Sequence, residues 1–178
     1  MLGIIYKYSD KELEELLKSL TILVDSREQQ NQWITDYFDK KKINYMTCKL
    51  DAGDYSAMIP KNEQLGVMRN MYLPVMVEKK NSVDELASSF KDRARFEAEF
   101  VRAKGSGTKI YLLVEDGQGY ANILNGNYRS EYNPKALLGS LKAFESRYNF
   151  TTAFIDKKIS GNYLYYTLLY SAREFLKS

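Results

Sequence analysis

Val75-Met-Val-Glu78-Lys79-Lys80-Asn-Ser-Val-Asp84 places an acid and two amines at the end of an apolar run. Ionisable groups ending a buried strand are costly unless something there uses them. Side chains alternate across a strand, so Glu78 and Lys80 share one face while Lys79 points to the other. A carboxylate beside a lysine suits one chemistry well: the acid holds a hard divalent cation, and the amine steers or activates a water next to a phosphate. Taken alone, Glu-x-Lys is also the pattern of a surface ion pair on an exposed strand. Two further stretches repeat the break from apolar to acidic. Ile22-Leu-Val-Asp25-Ser-Arg27-Glu28 is one, and Ala52-Gly53-Asp54-Tyr55 opens the other. Three acids at the ends of three strand-like runs can converge on one edge of one sheet.

The elements that must carry these residues are legible from period and punctuation. Ile22 to Val24, Ile43 to Leu50, Asp54 to Ile59, Leu73 to Lys79, Lys109 to Glu115 and Thr151 to Ile155 read as strands. The second and third are expected to form a hairpin through Asp51-Ala-Gly53, with Gly53 supplying an unusual backbone angle that aims Asp54. Ser9-Asp-Lys-Glu12 is a capping box ahead of a helix with Leu13, Leu16, Leu17 and Leu20 on one stripe. Trp33, Ile34, Tyr37 and Phe38 space as a second helix, closed by Lys40 to Lys42. Ser82 opens a third, with Val83, Leu86, Ala87 and Phe90 inward. A fourth follows on Phe96, Phe100 and Val101, in the most basic stretch of the chain. Asn133-Pro134 starts a fifth, Asn as cap and Pro at its first position. Pro60 to Tyr72 and Gly117 to Tyr132 read as loops, the first exposed. Glu115-Asp116 reads as a solvated strand end, or as an extension of the acidic edge. The last helix, about Ser160 to Leu176, is apolar almost all round and so has a second surface to cover it. That cover is a second subunit, or else Tyr6, Tyr8 and the first helix.

The chain carries no histidine and one cysteine, Cys48. This excludes the usual general base, a zinc site and an internal disulfide, and Cys48 reads as a small buried thiol. Catalysis must then rest on carboxylates, lysines and a hard metal. A 44% hydrophobic and 28% charged composition fits a globular domain, and a net charge of +3 permits nucleic-acid binding only through a local basic surface. No stretch has the length of a membrane span or the pattern of a secretory leader, so the expected location is cytoplasmic, or nuclear in a eukaryote.

Asp25-Ser-Arg27-Glu28, Gly53-Asp54 and Glu78-Lys79-Lys80-x-x-x-Asp84 together resemble the nuclease domain of the XPF-type structure-specific DNA endonucleases. That family's signature is Gly-Asp, a variable gap, then Glu-Arg-Lys-x-x-x-Asp. One position departs from it: Lys79 stands where the family has Arg, which keeps the charge and loses the bidentate fork. The likeness continues through Phe90 to Phe96 and Ile110 to Glu115, over roughly residues 21 to 176.

It implies an α/β fold with a central mixed β-sheet flanked by helices, restriction-endonuclease-like. Residues 21–178 would be the nuclease domain and residues 1–20 a helical extension. It implies a metal-dependent endonuclease acting on branched DNA. Asp54, Glu78 and the Lys79 carbonyl would hold Mg²⁺, with Mn²⁺ substituting, and Asp25 would complete the cluster directly or through water. Lys80 would position or help deprotonate the attacking water, while Glu28 and Asp84 would orient Arg27, Lys79 and Lys80. Arg93 and Arg95 would contact DNA; for Arg95 the alternatives are orienting the acidic cluster or a surface pair with Glu97 or Glu99. Pairing through the C-terminal helices implies a homodimer. Family members commonly continue into a helix-hairpin-helix domain, which is not expected within these 178 residues. Branched DNA would then be recognised by the dimer surface, a partner or the Pro60 to Tyr72 loop. The rival readings are an inactive DNA-binding scaffold that keeps the fold, and a Holliday-junction resolvase or exonuclease.

Overall fold

A computed structural model describes residues 7–178. Seven strands form one mixed sheet: β1 (Thr21–Asp25), β2 (Asn44–Cys48), β3 (Tyr55–Ile59), β4 (Met71–Tyr72), β5 (Val75–Lys80), β6 (Lys109–Val114) and β7 (Thr151–Phe154). Their order is β2-β1-β3-β5-β6-β7, with β4 paired to β3. β1 and β2 run parallel, β3 runs antiparallel to both β1 and β5, and β5, β6 and β7 are mutually parallel. The expected mixed α/β sheet is thus the fold. The expected hairpin is not: β1 lies between β2 and β3, and β2 takes an edge. Its residues are mostly exposed and Cys48 is half-buried, because an edge strand has only one neighbour to cover it.

Helices cover both faces. On one face lie α1 (Asp10–Lys18), α2 (Gln32–Lys41) and α7 (Ser160–Lys177). Their Leu13, Leu16, Ile34, Phe38, Leu164 and Leu168 pack on Ile22, Val24, Ala57, Val75, Val77 and Leu113. On the other lie α3 (Val83–Lys91), α4 (Arg93–Gly105), α5 (Gly119–Asn125) and α6 (Pro134–Tyr148). There Leu86, Phe90, Phe96, Phe100, Leu141 and Phe144 pack on Met76, Ile110, Leu112 and Val114. β5 is therefore buried on both faces, as an interior strand with helices packed on each side must be. The Ser9 capping box, the Ser82 cap and the Asn133 cap all form. Gly161 lets α7 approach α2, since a Cβ there would lie 2.9 Å from Tyr37 Cβ.

Several connections carry more structure than their composition indicates. The Pro60 to Tyr72 stretch holds a 3₁₀ turn at Glu63–Leu65, buried Val67 and strand β4. α5 lies inside the Gly117 to Tyr132 stretch and buries Ile123. Val101, expected inward on α4, is 54% exposed, and Ala103 takes the buried place. α7 buries Leu164, Leu168, Ala172 and Leu176 against the domain, while Tyr166 (47%), Tyr170 (52%) and Phe175 (40%) remain exposed. Tyr8 packs against the inner core beside α7; Tyr6 lies outside the described residues. Among the described residues no helix is long and apolar enough to cross a membrane.

Candidate active site

Register brings the three acids together. Tyr55 pairs with Val77 and with Val24, so the next residues along, Asp25 and Glu78 on β1 and β5 and Asp54 just before β3, stand side by side. Alternation sends all three side chains to the face opposite Val24, Tyr55 and Val77. The strands begin to part here. The Lys79 N–H donates to Asp54 Oδ2 (2.7 Å), whereas two residues earlier on β5 the Val77 carbonyl still accepts from the Asp54 N–H (3.0 Å). Gly53 makes this turn possible with φ of +73°, in close contact with Met76 and Val77. The result is an open cleft of about 400 Å³ at the end of β5, reached by Asp25, Arg27, Asp54, Glu78, Lys80 and Arg102.

Each acid has a different environment. Asp25 is 1% exposed. It accepts from Arg27 Nε (2.7 Å), Arg27 Nη2 (2.9 Å), the Arg27 N–H (2.8 Å) and the Leu50 N–H (2.8 Å). Burial works against its charge, but Arg27 and the two backbone donors outweigh it and hold the carboxyl below the usual range. A carboxylate has about four acceptor positions, and here all are taken. Asp25 as a metal ligand, direct or through water, is therefore not what this geometry offers; it anchors Arg27 and the Leu50 turn instead.

Asp54 and Glu78 are the opposite case. Burial, opposed by the Lys79 N–H, pushes Asp54 up to about 6. Burial, reinforced by the Asp54 charge and opposed by Lys80, pushes Glu78 up to about 8. Two enclosed carboxylates raised in this way favour a cation between them. Lys80 Nζ lies 2.7 Å from Glu78 Oε1 and 4.9 Å from the Phe96 ring centre. Burial lowers its affinity for a proton, but Glu78 more than compensates, so Lys80 stays an ammonium. The donors fit a hard divalent ion: all are oxygens. Among the described residues no group of three or more acids, cysteines or histidines is placed to hold a metal ion, so an ion here would rest on the two carboxylates of Asp54 and Glu78. Magnesium suits such a site, because it binds through one or two carboxylates and keeps several waters.

Lys79 lies on the other face of β5, fully enclosed. Its Nζ donates to Asn81 Oδ1 (2.6 Å) and the Gln30 carbonyl (3.1 Å), with Glu28 and Glu115 each 3.7 Å away. Glu28 thus sits where it can orient Lys79. Asp84 does not reach the cleft. It accepts from the Arg129 N–H (2.7 Å), the Ser130 N–H (3.0 Å) and Arg129 Nε (3.2 Å), so it fixes the turn before α6 rather than Arg27, Lys79 or Lys80. Arg93 turns away to Glu97 and the Phe144 ring. Arg95 is largely exposed and pairs with Asp92 at 3.4 Å, not with Glu97 or Glu99, and lines a depression shared with Lys80. Sequence reasoning missed Glu99 and Arg102, which reach the cleft from α4; with Arg95 they lie at helical spacings of three and four, a readable signal. It also misjudged Glu115, which is 7% exposed rather than solvated. Its parity with Leu113 on the inner face carried that information.

A family model described as the ERCC4 domain matches residues 24–167. No curated protein sequence matches the chain. Among solved structures, XPF from Aeropyrum pernix has a TM-score of 0.61 at 18% identity, over 87% of this chain and 66% of that one. XPF from Aeropyrum pernix in complex with DNA has a TM-score of 0.60 at 17% identity, over 86% and 65%. The chain spans just under two thirds of the length of those structures, and the likeness establishes the fold.

Proposed function

The chain belongs to the ERCC4 domain family, and from that premise we propose that it is a divalent-metal-dependent DNA endonuclease that hydrolyses phosphodiester bonds in branched DNA. One observation carries the reading. Asp54 and Glu78 are adjacent, enclosed and raised by burial, and they open with Lys80 into one solvent-accessible cleft. The resemblance of the sequence to XPF-type nucleases supports it, and the DNA-bound XPF structure shares the fold.

Asp54 and Glu78 would hold the ion, with the Lys79 carbonyl beside them, since the Lys79 N–H already faces Asp54. The metal, when bound, lowers the pKa of a coordinated water and neutralises charge building on the phosphate. Lys80, charged and held by Glu78, directs a donor into the cleft and steers the attacking water or a phosphate oxygen. Arg27, its side chain exposed and its fork fixed by Asp25, presents positive charge at the cleft mouth, as does Arg102. Both suit phosphate contact. Asp25 acts through Arg27. The domain would pair with a second copy through the exposed face of α7, where Tyr166, Tyr170 and Phe175 lie uncovered.

Labelled flap, fork, four-way and linear duplex DNA, incubated with Mg²⁺ or Mn²⁺, tests this. Wild type cuts branched substrates, and Asp54→Ala and Glu78→Ala do not. If every substrate stays intact while the folded protein still binds DNA, the activity reading fails and a non-cutting scaffold replaces it.

A further inference from the structure

Behind the cleft lies a buried polar cluster that no step above uses. Trp33 on α2 donates its Nε1–H to Glu115 Oε1 (2.8 Å) and shares it with Ser160 Oγ (3.1 Å) at the start of α7. Its ring centre lies 5.4 Å from Lys79 Nζ and 3.5 Å from Lys157 Nζ. Glu115, its side chain wholly enclosed, directs its second oxygen toward Lys79 at 3.7 Å, and that oxygen has no hydrogen-bond partner among the described residues. Such an atom is expensive to bury and persists where the surroundings hold it for a purpose. Tyr55 Oη, also buried, lies near the same charges.

Lys79 is the residue that this cluster holds, and Lys79 has two attachments to the active edge. Its N–H carries Asp54, and its side chain carries the Gln30 carbonyl and faces Glu28, on the turn that follows Asp25 and Arg27. A lysine has a flexible stem where the family signature has the planar fork of arginine. It must therefore be held from outside. We propose that Glu115 and Trp33 are positioning residues for metal binding and phosphodiester cleavage, acting through Lys79 to set Asp54 against Glu78. Neither side chain lines the cleft, so the proposal gives neither of them a contact with metal or DNA there. The proposal rests on the nuclease reading for its cleavage arm only.

Full-length wild type, Glu115→Gln and Trp33→Phe are compared by Mn²⁺ calorimetry and by cleavage of a branched substrate, at a temperature where each is folded by circular dichroism. Glu115→Gln keeps the shape and the Trp33 acceptor while removing the charge facing Lys79. Its Mn²⁺ affinity is expected to fall about 10-fold or more, the usual scale for residues that orient metal ligands. Its kcat falls with it, and KM for DNA stays within about twofold, because no DNA contact is lost. Trp33→Phe gives a smaller loss of the same kind, and it decides the matter alone if Glu115→Gln does not fold. A merely structural role lowers Tm and leaves Mn²⁺ affinity and kcat unchanged; that result overturns the proposal. So does a wild type that binds no Mn²⁺. A wild type that binds Mn²⁺ but cuts nothing removes the nuclease reading, and the affinity ratio still decides the positioning role.

Discussion

Asp54→Asn should make the metal-free protein more stable and the metal-loaded protein no more stable than that. Asparagine keeps an oxygen to accept the Lys79 N–H at 2.7 Å and removes a charge that makes no ion pair in the structure. The folded state raises Asp54 from 3.8 to about 6, with burial as the main cause. A raised carboxyl costs stability as pH climbs: the folded state is fully favoured below the unfolded pKa, and the advantage is lost as pH passes through about 6. The full shift corresponds to about 3 kcal/mol at ~1.4 kcal/mol per pKa unit. Asp54 faces an open cleft, and solvent screening reduces this to roughly 1–2 kcal/mol. For a chain of this size that is a rise in Tm of about 2–8 °C near pH 8. Well below 3.8, at about pH 3, Asp54 is protonated in both the folded and the unfolded state and the two proteins should melt together. Magnesium at one hundred times its Kd stabilises wild type by ~2.7 kcal/mol, about 5–10 °C, and should move Asp54→Asn by less than ~2 °C. Differential scanning calorimetry in chelator and in Mg²⁺, at both pH values, reads all four quantities. A metal-free Asp54→Asn that melts below wild type near pH 8, or one with an undiminished Mg²⁺ shift, would refute the reasoning.

Lys80→Met removes the cation already paired with Glu78. Single-turnover cleavage should fall by about 10²–10⁴-fold, the range for a group that handles the attacking water. Calorimetry should find Mn²⁺ affinity equal or tighter, and weaker binding would place Lys80 in ion retention instead. Gly53→Ala forces a Cβ to 3.1 Å from Met76 Cβ at φ of +73°; thermal melting should show a loss of about 1–3 kcal/mol, with cleavage reduced because Asp54 is displaced. Tyr166→Glu with Tyr170→Glu places charge on the exposed face of α7 and should convert a wild-type dimer to monomer in light scattering; a monomeric wild type at high concentration would remove the α7 interface.

Which residues could do chemistry was settled by residue type and spacing. The apolar runs breaking into Asp25, Asp54 and Glu78 marked strand ends, and alternation put Lys79 on the face opposite Glu78 and Lys80, as the structure has it. Caps at Ser9, Ser82 and Asn133 are local chemistry, so they too were readable. Strand order was not, because pairing is a long-range choice. Nothing local says that β1 separates β2 from β3, or that this pairing lines up Asp25, Asp54 and Glu78 in one row. Nor does local sequence say which carboxylate is spent. Asp25 is saturated by Arg27 and the Leu50 N–H from 25 residues away, and Asp84 by a turn 45 residues away. Glu115 ended a strand and looked solvated, until α2 and α7 closed over it and set it against Lys79. The sequence by itself determined the inventory of charges and their alternation. Tertiary structure alone decided which were buried, which were paired and which faced the cleft, because desolvation and partnership arise only when distant segments meet.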